Sequence, residues 1–140
     1  MSTTVPSKTN ILLVDDQISV RTLLRNALNE AGLKQIYEAD DGVMAIETLM
    51  HRLQVKDPIH LILCDWNMPR VDGLELLKRI RAAPGGAHIP FIMITSNSDF
   101  KSVKEAIDAG ANNYIPKPWS KDQLIAKLKF SWDEYKRKGG

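Results

Sequence analysis

Residues 11–16 read Ile-Leu-Leu-Val-Asp-Asp, four apolar strand formers that end abruptly in two acids. The apolar run is too short for a helix and does not alternate, so it reads as a strand covered on both faces. Outward from it, Val20, Leu23, Leu24, Ala27, Leu28 and Ala31 recur at helical spacing, and Gly32 supplies a stop. The unit then repeats. Gln35 to Ala39 is a weaker strand, and Ile46, Leu49, Met50 and Leu53 mark a second helix. Ile59 to Cys64 (IHLILC) is a strong strand, followed by a helix marked by Gly73, Leu76, Leu77 and Ile80 and ended near Pro84. Phe91 to Ile94 is another buried-type strand, with a helix through Val103, Ala106, Ile107 and Gly110. Asn113 to Pro116 is a short last strand. Leu124, Ile125, Leu128, Trp132 and Tyr135 mark a final helix from Lys121 to Lys138, with Ser120 and Gln123 placed as a capping box.

Five strands alternating with five helices imply crossover connections. The fold class is therefore α/β, a doubly wound parallel sheet with helices on both faces. Length and composition agree. The chain has 140 residues, 44% hydrophobic and 26% charged, which suits one globular domain. Residues 1–9 are small and polar and read as a flexible lead-in. A net charge of +2 gives no bulk case for nucleic-acid binding. The single cysteine, Cys64, excludes a disulfide framework within the chain, and its place before Asp65 predicts an inert thiol facing the core. No apolar run nears the ~20 residues of a membrane helix, and the N-terminus lacks a signal-peptide core, so a cytoplasmic protein is expected.

The polar residues fall at strand ends. Asp15 and Asp16 follow the first strand, Asp65 the third, Thr95 and Ser96 the fourth, and Lys117 the fifth. In a parallel sheet these ends share one edge, where open α/β sheets bind their ligands. Taken singly, Asp15 or Asp16 is a helix cap, Lys117-Pro118 a surface loop and Thr95 a strand-end residue. Together they place three carboxylates close enough to repel strongly unless a cation sits among them. Mg²⁺ suits such a site, because it takes one or two carboxylates, keeps waters and shares phosphate oxygens. A lysine and a hydroxyl beside it suit phosphoryl transfer, in which an aspartate can be the nucleophile.

These residues carry a family resemblance. Asp15-Asp16, the segment Asp65-Trp66-Asn67-Met68-Pro69 with Asp72-Gly73, Thr95, and Lys117-Pro118 resemble the receiver domain of bacterial response regulators. The stretch DWNMPRVDGLELLKRIR (65–81) is similar to chemotaxis regulators of the CheY type. The resemblance covers roughly residues 10–137 and gives a domain at 10–138. It implies a flavodoxin-like (βα)5 fold with strand order 2-1-3-4-5. It implies that Asp65 is the phosphoacceptor and that Mg²⁺, or Mn²⁺ in its place, is held by Asp16, Asp65, the Asn67 backbone carbonyl and, through water, Asp15. Lys117 and Thr95 are implied to contact the phosphoryl group, and Lys117-Pro118 to be a cis peptide. Thr95 and Tyr114 are implied as the switch pair. The surface they control is the last two helices and the strand between them, near residues 99–110, 114 and 119–135.

The resemblance also implies partners. A sensor histidine kinase is the phosphodonor, with small donors such as acetyl phosphate as substitutes. The output is the flagellar motor switch, or a histidine phosphotransfer protein in a phosphorelay, and a phosphatase can complete the cycle. The chain is expected to act as a monomeric signalling protein and not as a turnover enzyme, without nucleic acid or membrane insertion. Its length suggests that output acts through a partner; a receiver cut from a longer regulator is the alternative. Asn97 stands where CheY-type proteins often carry an acid that bears on the lifetime of the phosphorylated state. Trp66 is expected to be partly exposed beside the acceptor, and His51, His60 and His88 show no ligand spacing. Two rivals share features of this pattern. A flavodoxin-like cofactor binder would want a phosphate-cradling loop where Asp15-Asp16-Gln17 stands. An aspartate-nucleophile phosphatase would want Asp-x-Asp in place of adjacent aspartates.

Overall fold

The computed structural model describes residues 4–97 and 99–140. Its elements run β1 (Ile11–Val14), α1 (Ile18–Glu30), β2 (Ile36–Ala39), α2 (Gly42–Gln54) and β3 (Leu61–Asp65). They continue α3 (Gly73–Ala82), β4 (Phe91–Thr95), α4 (Phe100–Asp108), β5 (Asn113–Pro116) and α5 (Lys121–Arg137). The strands are all parallel, in the order β2-β1-β3-β4-β5. The chain winds one way from β1 to β2 and then back across β1 to β3, which makes β1 and β3 the strands flanking the switch point.

Period-2 geometry divides the apolar runs between two cores. Leu12, Val14, Ile62, Cys64, Phe91 and Met93 face α2, α3 and Ala106 of α4. Ile11, Leu13, Leu61, Leu63, Ile92 and Ile94 face α1 and α5. The continuous apolar runs are therefore strands with helices on both sides. Val5 is buried in the second core, so the lead-in is tied down at that point; Met1 to Thr3 lie outside the described residues.

Helix starts follow from local side-chain chemistry. Asp41, Asp72, Asp99 and Ser120 each accept a backbone N–H from the first turn of α2, α3, α4 and α5. The capping role expected of Ser120 is thus present, with Gln123 N–H as its donor. The N-cap of α1, Gln17, makes no side-chain cap. Asp15 instead accepts the Gln17 N–H at 2.9 Å, so the ordinary role of an aspartate before a helix is met in part by a residue that also faces the site.

Several local expectations need correction. Leu23 is 61% exposed, because the inward stripe of α1 is Leu24, Ala27 and Leu28 and Leu23 lies about 100° off it. Ile107 is likewise exposed, and Ala106 is the buried position of α4. The third strand begins at Leu61 and not Ile59, since the Asn10 carbonyl already accepts the N–H groups of His60 and Leu61 at the sheet's edge. At that same edge Asn10 is fully buried. Its amide donates to Asp57 and to the Pro58 carbonyl, and its Oδ1 accepts from Gln35. His60 faces this cluster too, its Nδ1 accepting the Asn10 N–H at 2.9 Å; burial pushes its pKa down, which suits an acceptor.

Candidate functional site

Register assembles the site. Val14 pairs with Cys64, so Asp15 comes level with Asp65. Asp65 pairs with Ile94, and Thr95 with Pro116, so Thr95 and Lys117 arrive at the same edge. The Lys117 N–H donates to the Thr95 carbonyl at 2.9 Å, extending the ladder by one bond. Asp65 and Thr95 are the last residues of their strands, not the first beyond them, and this buries both, at 5% and 1% exposure.

Asp15, Asp16 and Asp65 each offer a carboxylate oxygen, and the three lie within 4.8 Å of one another. Asp15 and Asp65 are buried while Asp16 opens to solvent. The Lys117 ammonium donates to Asp65 Oδ1 at 2.7 Å. Burial pushes the Asp15 carboxyl above its ordinary 3.8, opposed by the Gln17 N–H and Lys117 and reinforced by the charges of Asp65 and Asp16. Three carboxylates facing one lysine leave surplus negative charge in a half-dry cleft. Hard oxygen donors in that state fit a hard divalent cation with open positions for water and a phosphoryl oxygen.

Thr95 Oγ1 accepts the Asn97 N–H at 2.7 Å, which leaves the hydroxyl proton free to be donated. The Lys117-Pro118 peptide bond is cis. Tyr114 is half-buried on β5, and the Lys127 ammonium stands 4.5 Å from its ring centroid. Asn67 is exposed two residues past Asp65. Cys64 points away from the site into the first core, and burial holds its thiol far above the ordinary range. Trp66 departs from expectation. It is 7% exposed, because residues 66–73 close on themselves, the Gly73 N–H donating to the Trp66 carbonyl at 2.8 Å, and pack Trp66, Met68 and Val71 into the first core.

Some supports of the site were not read as such from sequence. Gly73, quoted there with Asp72 and as a helix start, is one. A Cβ there would lie 2.5 Å from the Asp65 carbonyl oxygen and 2.9 Å from Trp66 Cα, so α3 can approach the Asp65–Trp66 backbone only through glycine. The glycine following Asp72 was the available signal. Arg21 and Glu38 form another pair. Arg21 Nη1 donates to the Asp15 carbonyl at 2.5 Å and Nε to Glu38 at 2.8 Å. An isolated acid in the otherwise apolar strand Ile-Tyr-Glu-Ala was the sign that β2 answers to a cation.

The comparisons with known proteins agree with this geometry. The family model for the response regulator receiver domain matches residues 11–129. The chain is 39% identical over 118 residues to chemotaxis protein CheY-3 of Vibrio cholerae, spanning 84% of this chain and 87% of that protein. It is 39% identical over 118 residues to chemotaxis protein CheY1 of Helicobacter pylori, spanning 84% and 92%. Among solved structures, chemotaxis protein CheY4 of Vibrio cholerae matches with a TM-score of 0.77 at 28% identity, covering 88% of this chain and 98% of that one. The receiver domain of Francisella response regulator 1452 matches with a TM-score of 0.76 at 27% identity, covering 93% and 98%. An edge of three aspartates, a threonine and a lysine, on a sheet of this order, thus occurs in a chain that belongs to the response regulator receiver family of two-component signalling, in its CheY-type branch.

Proposed function

We propose that this domain accepts a phosphoryl group on Asp65 from a phosphohistidine of a sensor kinase and signals by the change that follows. The observation that carries the reading is the Asp65 carboxylate. It is buried, bonded to Lys117 at 2.7 Å, and grouped with the oxygens of Asp15 and Asp16. Asp16, Asp65 and the Asn67 carbonyl would hold Mg²⁺, with Asp15 reaching it through water. When bound, the ion would neutralise charge on the transferring oxygens.

The chain's own residues do the rest. An Asp65 oxygen attacks phosphorus, an O–P bond forms, and the N–P bond to the donor imidazole breaks with its electron pair returning to nitrogen. Lys117 offsets the charge that Asp65 brings and can turn its ammonium to a phosphoryl oxygen, since it is a point donor on a flexible stem. Thr95, with its proton unengaged, donates to a second oxygen. Phosphorylation adds roughly −1.5 to −2 charges. A shift of Thr95 toward them frees room beside Tyr114, which lies on the adjacent strand. The surface of α4, β5 and α5 then changes, and a flagellar motor switch is the partner that the chemotaxis relatives suggest. The domain promotes its own phosphorylation and hydrolysis and turns over no separate substrate, acting in the cytoplasm as a monomer.

The experiment is mass spectrometry after acetyl phosphate or kinase treatment with MgCl2. One phosphoryl adduct on the natural chain and none on Asp65→Asn is expected. Stoichiometric Mg²⁺-dependent labelling of the Asn variant would overturn the reading. Transfer onward to a histidine phosphotransfer protein would replace the motor partner by a relay.

A further inference from the structure

Arg21 takes no part in the phosphoryl chemistry, yet it touches the backbone that presents the acids. The segment Asp15-Asp16-Gln17 links β1 to α1 and must hold two carboxylates toward a third. The Asp15 N–H is fixed by the Ala39 carbonyl at 3.2 Å, and the Asp15 side chain by the Gln17 N–H. The Asp15 carbonyl takes the Arg21 guanidinium, whose side chain is only 11% exposed. That guanidinium is itself aimed. Its Nε bonds to one oxygen of Glu38 on β2, while Arg25 bonds to the other oxygen. A planar fork gripped on one edge by a carboxylate can present its other edge in only one direction.

We propose that Arg21 is a positioning residue for cation binding, holding the Asp15 peptide so that Asp15 and Asp16 stay converged on Asp65 despite their mutual repulsion. The inference rests on the reading of the acidic cluster as a Mg²⁺ site. Without the clamp, the three carboxylates relieve their repulsion by swinging the Asp15-Asp16 backbone outward, and a cation must then reassemble them. The cost appears as lost metal affinity, not as lost chemistry at Asp65. Arg25 is the internal control, because it shares Glu38 but makes no bond to the loop carrying the acids.

The test is titration of the full chain with MgCl2, read by calorimetry and by tryptophan fluorescence, since Trp66 adjoins Asp65. Arg21→Met keeps the apolar stem and removes every donor. It is expected to raise the Mg²⁺ Kd by about 10-fold, the usual effect of losing an outer-shell partner. Arg25→Met is expected to leave Kd within about twofold of the natural value, even if it lowers the melting temperature as much as Arg21→Met does. Should Arg21→Met not fold, Arg21→Lys serves. A single ammonium cannot hold Glu38 and the Asp15 carbonyl together, so Kd is still expected to rise. A folded Arg21 variant that binds Mg²⁺ like the natural chain overturns the inference, as do equal effects on Kd from Arg21→Met and Arg25→Met. If the natural chain binds no Mg²⁺, it is the reading of the site itself that fails.

Discussion

Replacing Asp15 by asparagine should make the metal-free protein more stable and largely remove its response to magnesium. Asparagine has the same shape and keeps Oδ1, so the bond from the Gln17 N–H survives. What disappears is one of three carboxylate charges within 4.8 Å of one another. At that separation each pair repels by about 3.5 kcal/mol at an effective dielectric of 20. Losing two of the three pairs is offset by the lost attraction to Lys117 and by solvent at the open Asp16 side. A net gain of about 2 kcal/mol remains, worth roughly 6–8 °C in a domain of this size. Saturating MgCl2 should reverse the order. The natural chain would gain about 2.7 kcal/mol at a hundred times its Kd, while the variant, with one anionic group fewer at the site, would gain little. The assay is thermal unfolding by circular dichroism in EDTA and in MgCl2. A variant no more stable than the natural chain in EDTA would refute the electrostatic reasoning, and an undiminished Mg²⁺ response would refute the role of Asp15.

Three further outcomes can be checked directly. Gly73→Ala forces a methyl group against the Asp65 carbonyl and the Trp66 backbone, neither of which can yield cheaply. Urea unfolding should show a loss of about 2 kcal/mol or more, and a neutral result would mean that α3 is free to move. At Glu38, burial raises the carboxyl pKa, but the hydrogen bonds and charges of Arg25 and Arg21 outweigh it and hold the group below its ordinary 4.5. Its contribution is therefore complete above pH 4.5 and lost as pH falls through the lower folded value. A pH series of urea midpoints should fall less steeply there for Glu38→Gln than for the natural chain. Cys64 should react with a thiol reagent only at the rate of unfolding; rapid native-state labelling would contradict its burial.

The fold was legible because strands and helices alternate with few interruptions and each apolar run is too short to be anything but a strand. A run such as Ile11 to Val14 says "buried on both sides" but does not say which residue faces which core, and that split became visible only with the helices in place. Asp15, Asp65, Thr95 and Lys117 were legible because parallel pairing sends every strand's carboxyl end to one edge. What sequence hid was the supporting layer. Trp66 gave no sign of burial, because its cover comes from the closure of residues 66–73 and not from local periodicity. Arg21 looked like an ordinary helix-surface cation, since its partner Glu38 is a tertiary neighbour seventeen positions away. Gly73 was quoted with Asp72 and read as a helix start, but its contact with the Asp65 and Trp66 backbone depends on how residues 66–73 close and not on helical periodicity.

The Asn10 cluster at the opposite edge acquires a meaning from the strand pattern. In β1, Ile11 and Leu13 face one core while Leu12 and Val14 face the other, and all four are buried. A slip of one residue would trade one pair for the other with little change in apolar burial, so hydrophobicity alone specifies the register weakly. Asn10 breaks that degeneracy. Shifted by one position, the fully buried Asn10 amide would lose Asp57, Pro58 and Gln35 as its partners. The same slip would carry Asp15 out of line with Asp65. A polar knot at one end of the central strand thus acts as the index mark that aligns the carboxylates at the other.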